Sequence, residues 1–277
     1  MQSVIADSFN TTTLLGSHLG LSSLLPVNFD LKREDTINAH LNIFPNEEFS
    51  EVPKLRYFGV GIRGCYNADD EILSSAYNPS RVNMNLFGLI PIRCVPIDED
   101  LPDAERALYR LRQRKVIGTE ECFLYYLKLM EFDSAGIRFK RINNSTGEEI
   151  PYELNPEYLS PTPVKPSTNN TIETTDSSIV AYCNATVNLK ASEVLEYITR
   201  LYGGDTRWAR ISEIGFFSGV DKQVTGSSGQ GVPFSYNEAI YTMLYEHLTW
   251  TGTPLTHVGS NISSVFEITS SGAIIKS

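Results

Sequence analysis

Two carboxylates could do chemistry by virtue of where they sit: Glu213, inside the apolar run Ala209-Arg210-Ile211-Ser212-Glu213-Ile214-Gly215-Phe216-Phe217, and Asp221 a little further on. The run is too short for a typical helix and too apolar for a loop, so it predicts a largely buried strand. A carboxylate there must point to solvent, pair with a cation such as Arg210, or face a partner, because a buried unpaired charge is very costly. If Glu213 and Asp221 converged in a cleft roughly 5 to 10 Å apart, they would suit a polysaccharide hydrolase. The loop Gly226-Ser227-Ser228-Gly229-Gln230-Gly231 invites an anion, but no Lys-Ser or Lys-Thr follows its last glycine. Gln230 also stands where a nucleophile elbow needs its second glycine. Asn67-Ala68-Asp69-Asp70-Glu71 lacks the glycine and terminal Glu of a calcium loop and predicts a solvated turn. His247 has no second histidine at a metal-binding spacing, and Cys65, Cys94, Cys122 and Cys183 form no C-x-x-C pair, which fits free thiols. No catalytic set, cofactor or metal is expected.

The elements that would position these groups are unevenly legible. Ser192 to Tyr202 carries Val194, Leu195, Ile198, Leu201 and Tyr202 on one stripe, and Gly203-Gly204 supplies a left-handed stop, so a helix is predicted with Ser192 as its cap. Ser235 and Glu238 have capping-box spacing ahead of Ala239, Ile240, Met243, Leu244 and Leu248, which predicts a second helix with His247 in its last turn. A third is predicted over Leu101–Leu111, opened by acidic residues and closed by basic ones. Tyr57–Gly64 predicts a strand, Cys122–Met130 and Gly136–Lys140 a hairpin across 133–135, and Ile179–Leu189 a half-buried strand. The expected class is α+β, predominantly antiparallel β and sandwich-like, with a few short amphipathic helices and extended terminal arms. The expected organisation is an extended arm over 1–55, a β-rich domain over 56–155, a Pro/Ser/Thr linker over 156–176, and an α+β domain with a C-terminal tail over 177–277.

With 277 residues, 41% of them hydrophobic, the chain can bury a core without disulfides. Its net charge of −10 argues against a nucleic-acid partner, which would need a basic face to neutralise phosphates. No stretch is apolar and long enough to span a bilayer, so no membrane partner is expected, and the first residues lack the basic and apolar regions of a secretory signal. The tail Thr251–Ser277 holds strand-forming residues from Ile262 to Ile268 but too many breaks for a core of its own. It needs a sheet to join, from its own chain or a neighbour.

Several short pieces together resemble one family. They are Leu55-Arg56-Tyr57-Phe58-Gly59-Val60-Gly61, then Asp100-Leu101-Pro102-Asp103-Ala104-Glu105-Arg106 with Tyr109 and Arg112, then Ile211-Ser212-Glu213-Ile214 with Ser218-Gly219-Val220-Asp221. In that order and spacing they are similar to virion structural proteins of tailed bacteriophages, most of all baseplate wedge subunits of contractile tails, over roughly residues 50 to 240. The resemblance implies a non-enzymatic assembly protein, dimeric or in a higher assembly within the particle. Its partners would be other virion proteins, and it would be made in the host cytoplasm and located in the tail or neck. Candidate interface residues are Tyr57, Phe58, Arg106, Tyr109, Glu213 and Asp221, with Val265 and Phe266 of the tail. The alternatives are a neck or collar connector, told apart by its station in the particle, and the virion-associated polysaccharide hydrolase built on Glu213 and Asp221.

Overall fold

The computed structural model describes residues 8–26, 30–43, 51–67, 74–160, 174–205, 209–227, 231–254 and 261–275. In chain order these form β1 (Phe9–Thr12), α1 (Leu14–Leu24), α2 (Ile37–His40), β2 (Lys54–Gly61), β3 (Cys65–Asn67), β4 (Ser74–Ala76), β5 (Leu89–Ile90) and β6 (Arg93–Pro96). There follow α3 (Asp103–Arg106), β7 (Tyr109–Ile117), β8 (Glu120–Leu129), β9 (Glu131–Phe132), β10 (Arg138–Asn143), β11 (Glu149–Tyr152) and β12 (Thr174–Lys190). The chain closes with α4 (Ala191–Tyr202), β13 (Arg210–Ser227), β14 (Pro233–Pro254) and β15 (Asn261–Ile275). The class is α+β, mostly antiparallel sheet with short helices, as expected.

The chain divides into two compact units, Met1–Met130 with Leu189–Ile262, and Glu131–Asn188 with Ser263–Ser277. That differs from the expected boundary at 156–176, of which 161–173 lie outside the described residues. The reason is strand pairing: β2 from the first half of the chain lies between β8 and β13, so the two halves share one sheet.

In the first unit the sheet runs β1-β14-β13-β2-β8, with β7 on the far edge of β8. The hairpin of β13 and β14 is its spine, paired from Arg210 opposite Pro254 to Ser227 opposite Pro233. The expected helix from Ser235 does not form. Tyr236, Ile240, Tyr241, Thr242, Tyr245, Thr249 and Trp250 are β-branched or aromatic, and a partner strand in register outweighs a helical spacing of apolar residues. Of the expected helix over 101–111 only α3 is helical; Tyr109 onward pairs with β8, Tyr109 lying opposite Lys128. β8 does not pair with Gly136–Lys140 either, because β7, β2 and β6 occupy its edges and β10 pairs with β11 and β12 instead.

Where residues 1–55 are described, they are tied to the sheet. β1 pairs with β14, Phe9 lying opposite Thr249 and Thr12 opposite Glu246. Further along, side chains take over from strand pairing, and the Thr13 hydroxyl donates to the Leu244 carbonyl at 2.5 Å. Asn38 then takes the place of a missing peptide, donating to the Ala239 carbonyl at 2.7 Å and accepting from the Thr242 N–H at 2.8 Å. The outer edge of β14, a ready template for unwanted strands, is thus covered by its own N-terminal segment. Beneath it Tyr57, Leu111, Leu124, Leu127, Phe217 and Leu244 form part of one buried cluster.

The second unit is a sheet of order β11-β10-β12-β15, with β9 beside β12. The tail therefore finds its sheet in its own chain. Among the described side chains of this unit only Lys140, Val180, Ala185 and Val187 are buried.

Candidate functional site

Glu213 is fully buried, and β13 aims its carboxylate at the turn before β3 and the segment between β4 and β5. Oε1 accepts from the Gly88 N–H at 2.7 Å and the Arg63 N–H at 3.2 Å; Oε2 accepts from the Phe87 N–H at 2.9 Å. His247 Nε2, from β14, lies 2.9 Å from Oε2, and its ring packs on Phe87 at 4.8 Å between centroids. The approach needs bare backbone: a Cβ on Gly61 would lie 2.3 Å from Oε1, and one on Gly64 2.1 Å from the Ser212 carbonyl. Three fates were open to Glu213 from the sequence: solvent, a cation such as Arg210, or a partner subunit. The partner found is a histidine on the neighbouring strand plus three amides, a long-range set that no local spacing announces.

Asp221 lies elsewhere. Arg110 Nε donates to it at 2.7 Å, the Tyr57 hydroxyl at 2.6 Å and Arg56 at 3.4 Å. Burial acts to raise its pKa, but these donors hold the carboxyl below the usual range. The strand rise places Glu213 and Asp221 roughly 25 Å apart along β13, beyond the reach of a glycosidase pair.

The remaining buried carboxylates have their own structural partners. Glu193 in α4 accepts from the Tyr109 hydroxyl at 2.6 Å and from Lys128 Nζ at 2.9 Å, and its Oε2 accepts from the Lys190 N–H, so the helix is capped from Lys190 rather than Ser192. Asp100 accepts from the Tyr125 hydroxyl at 2.6 Å and Arg112 at 3.0 Å, and Arg106 stacks on Phe234 at 3.9 Å. Tyr57, Phe58, Arg106, Tyr109 and Glu213 are therefore interior groups and not an interface, since the fold itself covers them. Of the expected interface set Val265 is 64% exposed, Phe266 is half-buried, and the Asp221 side chain keeps partial exposure.

The segments pinned by Glu213 form one wall of a cavity of about 350 Å³. His40, Arg63 and Lys115 stand on its rim, and Tyr126, Tyr197 and Tyr202 line it; no Asp or Glu is among its described lining residues. No spacing rule joins these positions, which come from α2, the turn after β2, β7, β8 and α4.

Cys94 and Cys122 are buried and Cys65 and Cys183 half-buried, all as free thiols, with burial pushing the Cys94 thiol up to about 12. Among the described residues no group of three or more His, Cys, Asp or Glu could hold a metal ion. No described helix is long and apolar enough to cross a membrane. Asp69, Asp70 and Glu71 of the expected solvated turn, and 228–230 of the glycine-rich loop, lie outside the described residues.

A family model described as "Family of unknown function (DUF7208)" matches residues 1–275, and the chain belongs to that family. No curated protein and no solved structure matches the chain.

Proposed function

We propose that this family member is a non-enzymatic structural subunit of a tailed-phage virion, assembling through protein–protein interfaces in the tail baseplate wedge. The observation that carries the assembly reading is the second unit's sheet. In its registers Phe139 lies opposite Tyr152 and Ala181, and Arg141 opposite Ile150 and Ile179, so these side chains share one face. Ile150 on that face is 41% exposed and Phe139, Tyr152 and Ile179 are only half-buried. A sheet normally buries its apolar face against a second layer, and a face left half-buried, with Ile150 exposed beside the exposed Arg141, is one on which another chain can pack.

The station in the particle rests on the resemblance of the Leu55–Gly61, Asp100–Arg106 and Ile211–Asp221 motifs, and the partners are other virion proteins. The acidic charge speaks against a nucleic-acid partner. A hydrolase on Glu213 and Asp221 is disfavoured because each carboxylate is held by structural donors, far from the other. A neck or collar connector differs only in location. Purified particles should contain the chain, and Ile150→Lys with Tyr152→Lys should leave the melting temperature of the free protein nearly unchanged while preventing its incorporation. Particles that lack the chain, or that take up the charged variant normally, would overturn the proposal.

A further inference from the structure

We propose that the cavity beside Gly88 binds a small anion in which a carboxylate or phosphate ester is attached to a compact apolar or aromatic body. Two cationic side chains and an imidazole reach its rim from separate elements, Arg63 from the turn after β2, Lys115 from β7 and His40 from α2. The chain has 33 acidic residues against 23 basic ones, yet no carboxylate is among the described lining residues to neutralise that rim. Opposite charges brought together at a partly enclosed site attract far more strongly than in open water.

The arginine is seated rather than loose. A Cβ on residue 88 would lie 2.6 Å from Arg63 Cγ, so the glycine makes room for the arginine stem to lie across the strand end. Glu213 holds the backbone of Arg63, Phe87 and Gly88 together, which fixes the root of the guanidinium side chain. Tyr197 adds a phenol that burial, with Tyr202 beside it, pushes up to about 12, so it remains a proton donor at neutral pH. The rest of the lining includes Leu41, Leu86, Leu89, Ile90 and Leu201. A bare inorganic ion would leave that surface unused, whereas an apolar body would cover it, and the volume is at the small end of ligand sites.

Benzoate and phenyl phosphate are suitable probes, with benzamide and benzyl alcohol as uncharged counterparts, titrated into the full-length chain and followed by backbone amide chemical shifts. Saturable shifts are expected at Arg63, Gly88, Leu89 and Lys115, with the charged probes binding about tenfold tighter than the neutral ones. Whichever of benzoate and phenyl phosphate binds tighter identifies the preferred oxyanion. Arg63→Gln and Lys115→Gln each replace an exposed side chain, so melting temperature should not change, while the dissociation constant should rise roughly three- to tenfold. No saturable shift up to about 10 mM probe, equal binding of charged and neutral probes, or unchanged binding by both variants would each defeat the assignment.

Discussion

Glu238 shows how one side chain can hold two strands together. β7 and β8 pair at Arg110 opposite Leu127 and again in the same register at Arg112 opposite Tyr125, with the pairing interrupted between them at Leu111, whose φ is 56°. The amides of Leu111 and Arg112 turn instead to the fully buried Glu238 carboxylate of β14, which also accepts from its neighbour Ala239 at 2.9 Å. Burial pushes this carboxyl up to about 7, with the three amides only partly opposing it. A folded-state value above the unfolded one means stability that is full at low pH and lost as pH rises through about 7. The melting temperature should therefore fall between pH 5 and 8, by the equivalent of up to about 3 kcal/mol. Glu196, also raised by burial, adds in the same direction, whereas the lowered Asp221 acts only at more acid pH. Glu238→Gln should flatten the slope and cost about 1–3 kcal/mol at pH 5, because an amide nitrogen cannot accept from the Arg112 N–H. A variant with the parental slope would remove Glu238 from this role. The sequence marks Glu238 as notable, but its capping-box spacing points to the wrong element, since the true partners lie on a strand distant in the chain.

Among the elements, α4 was legible and α1 was not. The stripe of α4 and its Gly203 stop, with φ of 61°, are local signals that the fold leaves intact. In α1 the apolar residues Leu14, Leu15, Leu19, Leu21 and Leu24 lie on several sides of the helix, so no periodicity separates a buried face from an open one. What docks it is a glycine: a Cβ on Gly16 would lie 2.4 Å from the Tyr245 carbonyl oxygen of β14, while nothing approaches within 4 Å of one on Gly20. Two substitutions in one helix should therefore act in opposite directions. Gly16→Ala should destabilise by roughly 1–3 kcal/mol by pushing the helix off the strand, and Gly20→Ala should stabilise by about 0.5–1 kcal/mol through helix propensity. Urea midpoints of the two variants on the same side of the parent's would refute this account of docking.

At the scale of the whole chain, composition and strand alternation disclosed the class but not the division into units, because strand partners are chosen by register across long sequence separations. The units also differ in how much they bury. Amides of β10 and of β12 up to Asn188 should exchange with solvent at lower free energy than those of β13 and β14, since the second unit buries only four described side chains. Equal protection in the two sheets, measured by native-state hydrogen exchange, would contradict that ranking. The spine of the first unit has a further consequence for how a cell makes this protein. Translation runs from the N-terminus, and β2 has no β13 to lie against until Arg210 to Ser227 has left the ribosome, nor has the N-terminal cover of β14 anything to cover before then. These segments must wait, exposed, for the last quarter of the chain, so in nascent chains stalled before residue 210 the described N-terminal residues that cover β14 should stay protease-sensitive and dependent on chaperones until the hairpin of β13 and β14 zips closed.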